Sequence, residues 1–161
     1  MKKAKYQNRD PRLETSGKIV GFYEREFFCF SNFSSFSVRW KGKTWPTSEH
    51  AYQAAHFFKT APALAKKIHQ AKSAYVAYKL AKTNVNKVAK NWQEISIAIM
   101  EDIVEHKLKQ NPYVMRKLKQ TGKRLIVEDS PKDSFWGWGP KRNGRNELGK
   151  IWMKLRDKII I

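Results

Sequence analysis

Fourteen acidic residues stand in a chain of 161, few enough to sort one at a time. Asp10 and Glu14 lie in a polar N-terminal stretch, and Glu24 and Glu26 precede Phe27 in another. Glu94, Glu101, Asp102 and Glu105 belong to the cap or polar face of a long helical pattern, and Glu147 and Asp157 to the last one. Glu128 and Asp129 end a strand-like run. Two carboxylates remain in unusual settings: Glu49, at a helix start directly after Trp45-Pro46, and Asp133, inside a loop of aromatics and glycines. A pair of carboxylates in such places suits general acid–base work. The structural alternatives are ordinary. Glu49 at a helix N-terminus complements the dipole for about 0.3–1 kcal/mol, and Asp133 is a residue that organises turns. The aromatics beside Asp133 favour function there, because large apolar faces in a polar loop must pack or stack on a ligand.

Other chemistries find little support. The lone cysteine, Cys29, excludes an internal disulfide and a cysteine zinc cluster, and its apolar neighbours mark it as a buried structural thiol. His50, His56, His69 and His106 are scattered, with no HExxH spacing, so no metal is expected. Neither a Walker loop nor a GxGxxG motif is present.

The elements that must hold these residues follow from pattern. Met1 to Ser16 reads as a loose basic arm, and residues 17–161 as one domain. Ile19, Val20 and Phe22 suggest a strand, and Phe36 to Trp45 a short hairpin turning at Gly42. Thr47 is the expected N-cap of a helix with Tyr52, Ala55 and Phe58 on one face. Further helices are expected to open at Thr60-Pro62 and at Ser73. Asn91 and Glu94 form a capping-box pattern ahead of Ile95, Ile99, Ile103 and Val104. Asn111-Pro112 starts the next helix, which Gly122 ends. A short strand over 124–127 precedes the Ser130–Gly139 loop. The last helix carries Leu148, Ile151, Trp152, Leu155 and Ile159 on one stripe. The fold class is α+β and predominantly helical.

The 33 lysines and arginines give a formal net charge of +19, a field that attracts phosphate on nucleic acid, nucleotides or acidic lipid. No apolar stretch is long enough for a membrane span and no apolar run follows the basic N-terminus, so a cytoplasmic protein without a membrane partner is expected.

Several segments, in this order, together resemble the YbiA/NADAR (NAD- and ADP-ribose-associated) family over roughly residues 21–156. They are Phe30-Ser31-Asn32-Phe33, Gly42 to Ala54 with its Ser48-Glu49-His50-Ala51-Tyr52-Gln53 core, Asp133-Ser134-Phe135-Trp136-Gly137-Trp138-Gly139, and Gly144 to Lys150. One departure stands at Lys82-Thr83-Asn84, where the family carries a Gly-Arg pair. The resemblance implies hydrolysis of a ribose C1–N bond without metal or redox cofactor. The implied substrates are ADP-ribose on guanine bases of DNA or RNA, or phosphoribosylamino-pyrimidine intermediates of riboflavin synthesis. It implies Glu49 and Asp133 as catalytic residues, one as base or cation stabiliser and the other on the ribose or leaving group, in either order. It further implies that Asn32, Phe33, Trp92, Trp136, Gly137 and Asn146 contact substrate. Trp92 is equally a hydrophobic residue at a helix start. A rival function is a non-catalytic module binding ADP-ribose or nucleic acid.

Overall fold

The computed structural model describes residues 17–159; the arm expected over 1–16 lies outside them. The fold is α+β and mainly helical, with two compact units. A terminal unit combines residues up to Ser31 with those from Lys117 onward, and a central unit spans Asn32–Arg116.

In the terminal unit, β1 (Ile19–Phe22) pairs in parallel with β4 (Leu125–Glu128), Ile19 opposite Leu125 and Phe22 opposite Glu128. Parallel strands need a long return connection, and the whole central unit lies within it. Helix α6 (Glu147–Ile159) packs on β4, burying Leu148, Ile151, Trp152 and Leu155 as the apolar stripe requires. Between the strand pair and the loop leading out of β1, Phe22, Phe27 and Phe30 gather beside Trp152, whose ring lies 4.8 Å from that of Phe30. The Trp152 indole N–H donates to the Phe30 carbonyl at 3.0 Å, which satisfies the polar end of a fully buried ring. Residues Arg25–Phe30 form a 3₁₀ turn, and it buries Cys29.

In the central unit, β2 (Val38–Trp40) and β3 (Lys43–Trp45) form the expected hairpin. Lys41 and Gly42 both have positive φ, 49° and 74°, as a tight two-residue hairpin turn demands. Five helices follow: α1 (Ser48–Ala55), α2 (Pro62–His69), α3 (Ala74–Lys82), α4 (Trp92–Gln110) and α5 (Pro112–Gln120), which runs on into the terminal unit. Thr47 and Ser73 cap as read from sequence, their hydroxyl oxygens each accepting at 3.2 Å from the amides of His50 and Val76. Gly122, at φ +57°, lies just beyond α5.

Two expectations are corrected. Phe58 does not share a helical face with Tyr52, because α1 stops at Ala55; its ring packs instead with Trp40 and Trp45, at 5.9 and 6.1 Å, beneath the hairpin. The Asn91 side chain makes no capping bond, so α4 is held by burial rather than by a capping box. Ile103, Val104, Met100 and Leu108 are buried along it, while Ile95 and Ile99 are only partly covered. Asp102, expected to face away, accepts the Trp40 indole N–H at 2.7 Å. Among the described residues no helix is long and apolar enough to cross a membrane.

Two outcomes follow from the packing. A Cβ added at Gly149 would collide with the Ile126 carbonyl and the Asn146 amide. Alanine favours a helix over glycine by about 1 kcal/mol, but overpacking costs about 1–3 kcal/mol. Gly149→Ala is therefore expected to lower the midpoint of thermal unfolding, and a raised midpoint would refute this close contact. Burial also lowers the pKa of His56 to about 4, partly offset by its hydrogen bond to the Tyr52 carbonyl. A histidine that resists protonation when folded contributes its full stability above the unfolded value of 6.5, and loses it as pH falls toward 4. His56→Gln is expected to flatten the pH dependence of urea unfolding across that window.

Candidate functional site

Helix α1 begins with four backbone N–H groups that have no partner within the helix. Thr47 takes that of His50, and the Asn32 carbonyl accepts that of Glu49 at 3.1 Å. This second bond joins the loop after the 3₁₀ turn to the start of α1 and sets Asn32 beside Glu49. Both residues are buried, at 6% and 5% exposure. One Glu49 carboxylate oxygen accepts from the Gln53 amide at 2.7 Å, one turn along the helix. The Asn32 amide nitrogen donates to the Met100 sulfur at 3.2 Å, a weak acceptor. Among the described residues its amide oxygen is buried without a hydrogen-bond partner, as is the Ser48 hydroxyl next to Glu49. Each such orphan costs about 1–3 kcal/mol, so two at one helix start mark polar positions built for something other than stability.

The ring of His50 secures this helix start. One ring nitrogen meets the Thr47 hydroxyl at 2.8 Å and the other the Ala71 carbonyl at 3.0 Å. The carbonyl requires an N–H from that nitrogen, leaving the first as acceptor for Thr47. Burial lowers the His50 pKa, which favours this neutral form.

Glu49, Tyr52 and Gln53, spaced i, i+3, i+4, share one face of α1, and His56, the C-cap residue just past its end, follows at i+7. Trp92, the first residue of α4, lies against this face. Its ring stacks on His56 at 3.8 Å and lies 5.3 Å from Tyr52. Trp92 is 8% exposed, so it packs as a wall of the helix pair. Phe33, next after Asn32, is exposed at 40%. The central unit thus brings together Asn32, Phe33 and Glu49, with Trp92 further along the same helical face.

The other four candidates lie in the terminal unit. One Asp133 carboxylate oxygen accepts the amides of Phe135 and Trp136, both at 2.8 Å, so Asp133 does organise its turn. Its second oxygen makes no hydrogen bond among the described residues. Ser130 braces the turn by accepting the Asp133 amide at 3.0 Å. Trp136 is half-buried, edge-on to Phe135 at 4.9 Å. Gly137 is buried, and a Cβ there would lie 2.6 Å from the Glu128 carbonyl; packing alone accounts for this glycine. Asn146 has a positive φ of 54°, and its amide fastens the start of α6 to β4. Its oxygen accepts from the Glu128 amide at 3.0 Å and its nitrogen donates to the Ile126 carbonyl at 2.9 Å. Both polar ends of that side chain are therefore engaged by backbone.

Gln53, Tyr52, His56 and Met100 are the neighbours that sequence reading left unassigned. The helical spacing from Glu49 pointed to the first three, whereas nothing local points to Met100. Among the described residues no group of three or more His, Cys, Asp or Glu side chains is placed to hold a metal.

Comparison with known proteins bears on this geometry. The NADAR domain model matches residues 21–160. The N-glycosidase YbiA of Escherichia coli is 31% identical over 145 residues, 89% of each chain. An N-glycosidase of Nostoc punctiforme is 35% identical over 143 residues, 87% of this chain and 92% of that one. A riboflavin biosynthesis protein of Vibrio vulnificus is 36% identical over 152 residues, 93% of this chain but 41% of the longer protein. The NMR structure of E. coli YbiA superimposes with a TM-score of 0.81 at 30% identity, over 89% of this chain and 85% of that one. With the helix-start carboxylate and its asparagine in place and the match running through both units, the chain belongs to the NADAR domain family.

Proposed function

We propose that this protein hydrolyses a ribose C1–N bond in a phosphate-bearing N-glycoside, with Glu49 as the carboxylate at the reacting carbon. The enzyme is a hydrolase acting on N-glycosyl compounds, as the names of its relatives state for them. The observation that carries the assignment within the chain is the pairing, on one backbone hydrogen bond, of a buried Glu49 with an Asn32 whose amide oxygen has no partner among the described residues.

Cleavage develops positive charge on the sugar, as in other glycoside hydrolyses. An anionic Glu49 opposes that charge and takes a proton from the attacking water as the new C1–O bond forms. The electrons of the broken C1–N bond pass to the leaving nitrogen, which acquires a proton. The Asn32 amide oxygen suits a ribose hydroxyl or an N–H of the leaving heterocycle. Asp133 is the second carboxylate of the proposal, through the oxygen its own turn does not use.

ADP-ribose on guanine bases of nucleic acid is the substrate we favour, because a net charge of +19 is more than one ribose phosphate needs and is useful against a phosphodiester backbone. The relatives named for riboflavin biosynthesis favour a second reading, a phosphoribosylamino-pyrimidine intermediate. Mass spectrometry of products from each substrate separates them: free ADP-ribose with restored guanine supports the first, ribose 5-phosphate alone the second. Silence with both substrates would support a binding module instead.

Glu49→Gln is expected to lower kcat by about 100-fold or more while substrate still binds. Asp133→Asn keeps an oxygen that can accept from Phe135 and Trp136. It is expected to retain the thermal midpoint and lose turnover, whereas Asp133→Ala is expected to cost about 0.5–2 kcal/mol of stability, as the loss of a cap does. Full turnover in Asp133→Asn would confine that residue to its turn.

A further inference from the structure

Positive charge is spread along the chain, but negative charge is not. Between Glu49 and Glu94 stand eight lysines and neither aspartate, glutamate nor arginine. This acid-free stretch contains most of α1 and all of α2 and α3. On α3 the residues divide sharply. Ala74, Ala77 and Ala81 are buried, whereas Tyr75, Tyr78, Lys79 and Lys82 occupy another face at spacings of three and four. Tyr75 is 59% exposed.

Exposed Tyr75 and Phe33 flank the half-buried Tyr78. Tyr75 and Tyr78 lie 6.5 Å apart, and Tyr78 lies 6.3 Å from Phe33. The Lys79 ammonium sits 6.0 Å from the Tyr75 ring and that of Lys82 5.4 Å from Tyr78, whose hydroxyl it also meets at 3.1 Å. Scattered exposed aromatics need no explanation. Three neighbouring rings with a lysine against each tyrosine, the tyrosines and lysines in a stretch without acidic residues, match the demands of an unpaired strand: flat faces for bases and cations for phosphates. A duplex keeps its bases stacked inside and offers nothing to such rings.

We propose that the Tyr75–Tyr78 face of α3 binds single-stranded nucleic acid, with bases stacked on the two tyrosines and phosphates met by Lys79 and Lys82. This set of rings reaches Phe33, next to Asn32, so a strand lying on it leads toward the helix start that carries Glu49. This surface goes beyond the hydrolase reading and does not depend on it, since an unmodified strand contains every group it recognises.

The test is fluorescence anisotropy of the full chain with a short labelled, unmodified single strand, as DNA and as RNA, beside the matching duplex. Either strand should bind more tightly than the duplex. Tyr75→Ala and Tyr78→Ala are each expected to weaken binding about tenfold, with Tyr75→Phe retaining it. Replacing Lys79 and Lys82 together by glutamine should reduce the slope of log affinity against log salt by about 1.4. Photocrosslinking of the bound strand followed by peptide mapping reads the surface without any variant, and should label residues 74–82. Equal affinity for duplex, tyrosine variants that bind like the parent, or crosslinks confined elsewhere would overturn the proposal. None of these readouts involves cleavage, so their failure would leave the hydrolase reading where it stands.

Discussion

A carboxylate at 5% exposure in the first turn of α1 is the constraint around which the central unit is arranged. Removing such a group from water is expensive unless partners replace the solvent. Gln53 supplies one hydrogen bond, and the N-terminal end of α1 supplies a favourable field. That field exists only if the helix starts in the right place. Thr47 caps it, His50 ties the cap to the Ala71 carbonyl, and the Asn32 carbonyl accepts the Glu49 amide. The bonds that begin the helix are thus the ones that seat Asn32 at the carboxylate. Fold and site share atoms here.

The terminal unit uses a different device. Its loop from Ser130 to Asn146 has little regular structure, and close backbone approach takes the place of helix geometry. A Cβ at Gly144 would press on carbonyls of the same loop, and one at Gly137 on the Glu128 carbonyl at the end of β4. Asp133 holds two consecutive amides with one oxygen, and Asn146 clamps the end of the loop to β4 with both ends of its amide. Small residues permit the path and short polar side chains fix it, so conservative enlargements in this loop displace backbone rather than merely filling space.

What could be read from the sequence was mostly what is settled by neighbours along the chain. The Thr47 and Ser73 caps, the Gly42 turn and the stripe of α6 depend on residues within one or two turns, and they stand as read. Phe58 fits the period of α1, yet two tryptophans from the hairpin hold that ring outside the helix. The cap expected of Asn91 failed for a related reason: burial along α4 makes a local bond dispensable. In the candidate site, the helical face from Glu49 to His56 was implicit in the spacing. The partners of that face, Asn32 and Trp92, come from 17 positions before Glu49 and 43 after it. No local pattern announces such contacts.

Net charge poses the same problem at larger scale. A sum of +19 says that the surface attracts anions, but lysines also serve merely to solvate, and counting them separates neither role. Their neighbours do. Lys109, beside Glu105 at 2.9 Å, and Lys150, beside Glu147 at 3.2 Å, are answered within their own helices, so their fields are largely local. Lys79 and Lys82 lie in a stretch without a carboxylate in its sequence and rest against tyrosine rings. A lysine over a ring gives up little solvation and remains able to swing toward a phosphate. The placement of the acids, rather than the number of the bases, therefore gives this surface its direction, and a set of neighbouring rings reaching Phe33 gives that direction an end point.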